Sequence, residues 1–184
     1  MKRKVFYSFH YAKDSWRASQ VRNIGVVEGN APLTSNKWEE VKQKGDANIL
    51  KWIQDSLVGK TCLVVLIGEK TSERKWCNRE IEEAWRAGKG IVGIYIHNLK
   101  DFLGNQSEKG KNPFKSFYID KTYNYIAKRD NKVDNNEILL SSVCHAYDPP
   151  YTTSKNVYDF IADHIEDWVE EAITIRMLYP SGRD

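Results

Sequence analysis

Short apolar runs recur along the first hundred residues, separated by segments whose apolar positions have helical spacing. The runs Val5–Phe9, Leu63–Ile67 and Ile91–Ile96 are continuous instead of alternating, which is typical of strands buried on both faces of a sheet. A fourth run, Ile24–Val27, predicts another strand, which ends at the loop Glu28–Pro32. The pattern therefore predicts several strands in the interior of one sheet.

The segments between these runs predict the connecting helices. One helix is expected over residues 14–23, and a second from Asp46, its predicted N-cap, to about Leu57, with Gly59 as the stop signal. A third helix lies between the two longest apolar runs and carries Glu80 in its first turns. Strands and helices thus alternate along this part of the chain.

This alternation predicts an α/β protein with a three-layer, flavodoxin-like fold, in which a mostly parallel central sheet has helices on both faces. The pattern weakens over residues 99–151, which hold only two short strand candidates, Tyr123–Ala127 and Leu139–Cys144. Such an insertion either carries a binding surface or is merely tolerated. An amphipathic helix capped by Ser154 is expected over about residues 154–174, and 184 residues fit a single domain.

Charge and composition limit the kinds of partner and the cellular compartment that are expected for this protein. The net charge is +3 and the basic residues are scattered along the sequence, so nucleic acid is not the expected partner. No apolar stretch is long enough for a membrane span, and the N-terminus does not resemble a signal peptide, so a soluble cytoplasmic protein is expected. Three cysteines without paired spacing, Cys62, Cys77 and Cys144, and four dispersed histidines indicate a reducing compartment and no structural metal.

Two motifs stand out in the sequence. The first is the strand end Val5–Tyr11, and the more specific second one is Ser72 followed by Trp76-Cys77-Asn78-Arg79-Glu80-Ile81. Together they resemble a TIR domain. Further stretches resemble the bacterial TIR-like branch that includes the TIR proteins of the Thoeris antiphage system: Val21–Asn23, Trp38–Glu39 and Gly110–Phe114. The similarity runs from Lys4 to about Phe114, and no motif supports it from Thr122 onward. It implies one TIR-like domain over residues 1–184, with a family-specific insertion at about 99–151.

The resemblance implies that NAD is a substrate and that no cofactor is needed. TIR enzymes cleave the bond between nicotinamide and ribose with a helix glutamate, a role that falls to Glu80 here. Because nicotinamide leaves as a neutral molecule, a single carboxylate can suffice, without a general acid. By similarity to Thoeris proteins, the product is a cyclic ADP-ribose isomer or a related ADP-ribose signal that reaches a separate effector, and a homo-oligomer is possible.

The residues expected to bind the substrate lie near Glu80 at the carboxyl ends of the strands, where open α/β sheets bind ligands. Aromatic rings there can stack on adenine or nicotinamide, and an arginine can pair with the diphosphate. The candidates are Phe9, His10, Tyr11, Arg22, Trp38 and Trp76. Plainer interpretations exist for several of these residues: Phe9 could be core, His10 a surface residue and Arg22 a solvated helix residue. Trp76 could pack and orient Glu80, and Glu80 itself could be a carboxylate that complements the helix dipole.

Two other functions stay open on the sequence alone. One is a non-enzymatic TIR adaptor that acts through TIR-to-TIR contacts, for which Glu80 would have no chemical role. The other is a nucleoside deoxyribosyltransferase-like enzyme, which also relies on one glutamate. Cys77 lies near a helix start but has no evident base partner, so we predict that it packs and is not a nucleophile.

Overall fold

The computed structural model describes residues 1–31, 35–129 and 134–180, and for residues 35–38 the backbone alone. Its strands are β1 (Val5–Ser8), β2 (Cys62–Ile67), β3 (Gly90–Tyr95), β4 (Phe117–Asp120), β5 (Ile126–Lys128), β6 (Glu137–Leu139) and β7 (Ala146–Tyr147). Its α-helices are α1 (Tyr11–Arg22), α2 (Ser35–Gln43), α3 (Asp46–Leu57), α4 (Lys75–Arg86) and α5 (Ser154–Leu178). Short 3₁₀ turns lie at Thr71–Glu73, Pro113–Ser116 and Leu140–Ser142.

The central sheet is parallel and has the order β1-β2-β3-β7. Every residue of β1, β2 and β3 is buried, which confirms the interpretation of the three continuous apolar runs. Phe6 pairs with Leu63, and Leu63 pairs with Ile91, so these apolar side chains form rows across the sheet. The predicted parallel sheet is confirmed.

Helices cover both faces of this sheet. The face formed by Val5, Val64 and Ile94 packs in one hydrophobic cluster with side chains of α1 and α5. The opposite face, which includes Phe6 and Val65, packs with side chains of α3 and α4. The predicted three-layer α/β architecture is therefore confirmed.

The predicted strand Ile24–Val27 was wrong. The chain forms one parallel bridge beside β1, between Lys4 and Glu28, and then leaves the sheet. The Asn30 side chain replaces a strand partner, because its Oδ1 accepts a hydrogen bond of 2.9 Å from the Tyr7 backbone N–H. The bridge still lies outside β1, at the place of the second strand in a flavodoxin-like sheet.

Two predicted caps were also wrong by one residue. Gly45, with a φ of 88°, is the N-cap of α3, and Asp46 is the first helical residue, whose carboxylate pairs with the Lys75 ammonium at 2.5 Å. Thr153 is the N-cap of α5, and the Ser154 hydroxyl accepts a hydrogen bond of 3.0 Å from the Lys100 backbone N–H. Both side chains bind other segments instead of capping their own helices.

The insertion forms a small antiparallel sheet with the order β5-β4-β6. The two strand candidates were displaced, because Tyr123 has a φ of 61° in a turn before β5 and a 3₁₀ turn replaces the strand after Leu139. The Trp85 indole N–H of α4 donates a hydrogen bond of 2.9 Å to the Tyr123 carbonyl. Ile119 and Ile126 join the same hydrophobic cluster as α4, so this sheet braces the helix that carries Glu80.

Candidate active site

Glu80 lies in the second turn of α4, and its side chain packs against the carboxyl end of β1. The Ser8 hydroxyl, at the last position of β1, donates a hydrogen bond to Oε2 of Glu80. Both residues are buried, with exposed fractions of 1% for Ser8 and 8% for Glu80. The fold thus joins two residues that are 72 positions apart in the sequence.

The environment of Glu80 disfavours its ionised form. Burial raises the pKa of Glu80 from 4.5 to about 8, and the hydrogen bond from Ser8 opposes this rise. The Glu80 carboxyl group is therefore mostly neutral at pH 7. Such a shift is typical of functional carboxyl groups, which need a pKa close to the working pH.

A cavity of about 310 Å³ opens above Glu80. It brings together most of the residues singled out from the sequence: Phe9, His10, Tyr11, Arg22, Trp76 and Glu80. Trp38 belongs to α2, but its side chain lies outside the described residues. Glu39 and Lys42, from the same helix, do line the cavity.

Aromatic rings and one arginine form a side wall of this cavity. The rings of Phe9 and Tyr11 stack with their centroids 6.3 Å apart and an interplanar angle of 28°. The Arg22 guanidinium lies 5.9 Å from the Phe9 centroid and 5.8 Å from the Tyr7 centroid. Its Nη2 donates a hydrogen bond of 2.7 Å to the Asn30 carbonyl, so the cation is held beside the rings.

His10 lines the cavity and is largely buried. Its Nδ1 is buried and has no hydrogen-bond partner within the described ranges. Burial lowers the pKa of His10, and the nearby charges of Arg74 and Lys13 lower it further, so the ring is neutral at pH 7. A neutral imidazole has one N–H donor and one nitrogen acceptor, so the ring can both donate and accept hydrogen bonds.

Some cavity residues were missed by the sequence analysis. Ser8 could have been found, because it is a hydroxyl within an otherwise apolar strand. Arg74 lines the cavity from the residue before α4, and Trp52 of α3 lines it beside Phe6, with ring centroids 6.1 Å apart. Neither has a local signal in the sequence, because arginines and tryptophans are common in such helical segments.

The described residues add neither a reactive cysteine nor a cluster of metal ligands to this site. Burial raises the pKa of the Cys77 thiol, and the nearby Glu80 raises it further, so a reactive thiolate is disfavoured, as predicted. In the described part of the chain, no cluster of three histidine, cysteine or acidic residues is arranged to hold a metal ion. No helix there is both long enough and apolar enough to cross a membrane.

Residues 6–101, more than half of the chain, match the family model described as "Thoeris protein ThsB, TIR-like domain". The chain belongs to this ThsB TIR-like family. The matched segment includes β1 from Phe6 onward, β2, α4 and β3, and hence both Ser8 and Glu80. The small antiparallel sheet lies beyond the match.

One relative of this TIR-like domain is a protein of Bacillus cereus (strain MSX-D12) named "Putative cyclic ADP-D-ribose synthase ThsB1". The two chains are 35% identical over 119 residues. The aligned part covers 62% of this chain and 62% of the relative's length. More than a third of each protein therefore lies outside the alignment.

Proposed function

We propose that this TIR-like domain cleaves the nicotinamide–ribose bond of NAD and forms a cyclic ADP-ribose isomer or a related ADP-ribose product. The product acts as a diffusible signal for a separate effector protein in antiphage defence. The observation that carries the proposal is Glu80, which is buried at the base of an aromatic-lined cavity and hydrogen-bonded to Ser8. Membership of the ThsB family and the name of the Bacillus cereus relative support it.

The proposed role of Glu80 is electrostatic stabilisation of a positive charge. When the bond between the pyridinium nitrogen and C1′ breaks, the electron pair leaves with nicotinamide, which becomes neutral. The positive charge then develops on the ribose as an oxocarbenium-like centre. An ionised Glu80 next to that centre stabilises the transition state more than the ground state, which is the condition for catalysis.

The walls of the cavity match the other parts of the substrate. The Phe9 and Tyr11 rings offer faces on which a base can stack, and Arg22 and Arg74 offer positive charge for a diphosphate. A volume of about 310 Å³ is at the low end for ligand pockets, which suits a dinucleotide that is folded on itself or extends from the opening. A folded pose lets adenine reach C1′, and exclusion of water then favours cyclisation over hydrolysis.

The proposed site of action is the cytoplasm, where NAD is available. The three cysteines are free and buried, which suits a compartment that keeps thiols reduced.

The test is product analysis by chromatography and mass spectrometry after incubation with NAD, for purified protein and for extracts of phage-infected cells. Glu80→Gln should lower the rate of nicotinamide release by about 10² to 10³, the scale of one preorganised electrostatic contact. Glu82→Gln is the matched control, because Glu82 is on the same helix but pairs with Arg79 and Arg86 outside the cavity. Its rate should stay close to that of the unmodified protein.

The same assay separates the other functions. If neither preparation consumes NAD, a non-enzymatic adaptor replaces the proposed enzyme. If deoxynucleosides turn over and NAD does not, a deoxyribosyltransferase-like activity replaces it. Equal NAD turnover by the unmodified protein and Glu80→Gln would remove Glu80 from the reaction.

A further inference from the structure

A second concavity is lined in part by Ser72 and Glu73, from the turn that precedes α4. Its volume is about 490 Å³, and it shares no lining residue with the Glu80 cavity among the described residues. We call it the lysine pocket, because Lys109, Lys111, Lys115 and Lys128 line it. These lysines are scattered along the insertion, and the fold gathers them.

The charge of the lysine pocket is poorly neutralised. Within the part of the chain that the structure describes, only Lys109 of the four pairs with a carboxylate, that of Asp148 at 2.8 Å. The acidic residue that lines the pocket is Glu73, which pairs with Lys70 at 3.5 Å. The four lysines and Glu73 together give the pocket a formal charge of +3, which equals the formal net charge of the whole chain. Concentrated charge of one sign in a concave surface attracts small ions of the opposite sign.

Hydroxyl donors lie among these cations. Tyr95, Ser72 and Ser116 line the pocket, and their hydroxyl groups make no hydrogen bond to the residues that the structure describes. Tyr95 is 7% exposed, and the Lys109 ammonium lies 4.6 Å from its ring centroid. The Lys109 ammonium thus occupies the place over the Tyr95 ring where a nucleobase would stack. The donors that remain suit phosphate oxygens, which accept hydrogen bonds from ammonium and hydroxyl groups alike.

The segment that carries two of the lysines is held in place. A Cβ on Gly110 would lie 2.0 Å from the Gly68 carbonyl oxygen, so this backbone packs directly on the chain after β2. The Asn112 side chain accepts a hydrogen bond of 2.9 Å from the Phe114 backbone N–H, and Phe114 is fully buried. The pocket is therefore preorganised, which lowers the entropic cost of binding.

We propose that the lysine pocket binds a small, multiply phosphorylated anion through Lys111, Lys115 and Lys128. The recognised group is a chain of phosphates, because the pocket offers many single-point donors and no free aromatic face. The proposal does not depend on NAD cleavage, since the lysine pocket and the Glu80 cavity are separate and binding is measured without turnover.

Isothermal titration calorimetry with inorganic tripolyphosphate at low salt tests this proposal. The unmodified protein should bind about one equivalent. The double variant Lys111→Gln/Lys115→Gln should bind about tenfold to a hundredfold more weakly, because each lost hydrogen bond to a charged group is worth up to about a factor of ten. Both lysines are exposed, so the fold should be unaffected, which circular dichroism verifies.

Two control proteins make the result specific. Lys2→Gln/Lys121→Gln removes the same charge from exposed lysines outside the pocket and should change the affinity less than twofold. Arg74→Gln, in the Glu80 cavity, should also bind normally. Equal weakening by the two lysine pairs, loss of binding in Arg74→Gln, or no binding by the unmodified protein would each overturn the proposal. If the same lysines bind a short oligonucleotide more tightly than tripolyphosphate, a nucleic-acid site replaces the proposed phosphate site.

Discussion

Glutamine in place of Glu80 should stabilise the fold at pH 8 and change it little near pH 4.5. Burial raises the pKa of Glu80 from 4.5 to about 8, so the folded state holds a proton that the unfolded chain has lost. A group whose pKa is raised on folding contributes stability that is fully present below the unfolded pKa and is lost as the pH rises through the folded pKa. The free energy of unfolding should therefore fall between about pH 4.5 and pH 8. Glutamine still accepts the Ser8 hydrogen bond but carries no charge.

The magnitude follows from the shift. A change from 4.5 to about 8, at about 1.4 kcal/mol per pKa unit, corresponds to about 5 kcal/mol over the whole window. The cavity above Glu80 admits water, which solvates part of the charge, so we expect about 2 to 3 kcal/mol. For a chain of this length that difference raises the melting temperature of Glu80→Gln at pH 8 by about 5 to 10 °C.

Urea unfolding of both proteins at pH 5, 6.5 and 8 measures the effect. The advantage of Glu80→Gln should grow with pH, whereas Glu82→Gln, which loses partly exposed ion pairs, should show a small and nearly constant loss of about 1 kcal/mol or less. A difference between Glu80→Gln and the unmodified protein that is the same at pH 5 and pH 8 would show that Glu80 titrates normally, and the reasoning would fail.

Three other predictions concern rate and packing. In the proposed reaction, kcat/KM for NAD should rise about tenfold per pH unit and level near pH 8, the pKa of Glu80, in a pH–rate profile. Ser8→Ala removes a hydrogen bond that favours the ionised carboxylate, so kcat/KM at pH 7 should fall about tenfold and the midpoint of the profile should move to higher pH. Gly110→Ala places a methyl group 2.0 Å from the Gly68 carbonyl oxygen and should destabilise the protein by about 2 kcal/mol or more, measured by calorimetry.

The central strands were predictable because they have no exposed face. A strand buried on both sides must be apolar at every position, and β2 satisfies this over all of its residues. The run Ile24–Val27 shows the limit of the same signal. Val27 is buried and Ile24 and Val26 pack against the core, yet the segment forms no strand, because Gly25 turns the chain with a φ of 76°. An apolar run thus indicates that its side chains are buried. Whether the segment forms a strand depends on whether its backbone N–H and C=O groups hydrogen-bond to a neighbouring strand.

The part of the candidate site that could be predicted is the part that follows the carboxyl ends of the parallel strands. Phe9 and Glu80 lie after neighbouring parallel strands, so a parallel sheet brings them to the same edge whatever the loops do. The lysine pocket is different, because its cations come from a loop, a 3₁₀ turn and the end of β5. The lysines come together only because of the way the insertion packs on α4. Neither the periodicity of the sequence nor any motif in it predicts that packing.

The neutral state of Glu80 and its proposed chemistry are connected through the charge of the substrate. Burial removes water from an ionised Glu80 carboxylate, which is why the proton is retained. The pyridinium ring of NAD would bring a positive charge into the cavity and favour loss of that proton. As the bond breaks, the charge passes to the ribose, so the carboxylate keeps a cationic partner through the transition state. A neutral nucleoside brings no such cation and leaves Glu80 protonated, so we expect deoxynucleosides to be poor substrates at pH 7, and the midpoint of kcat for NAD to lie below that of kcat/KM.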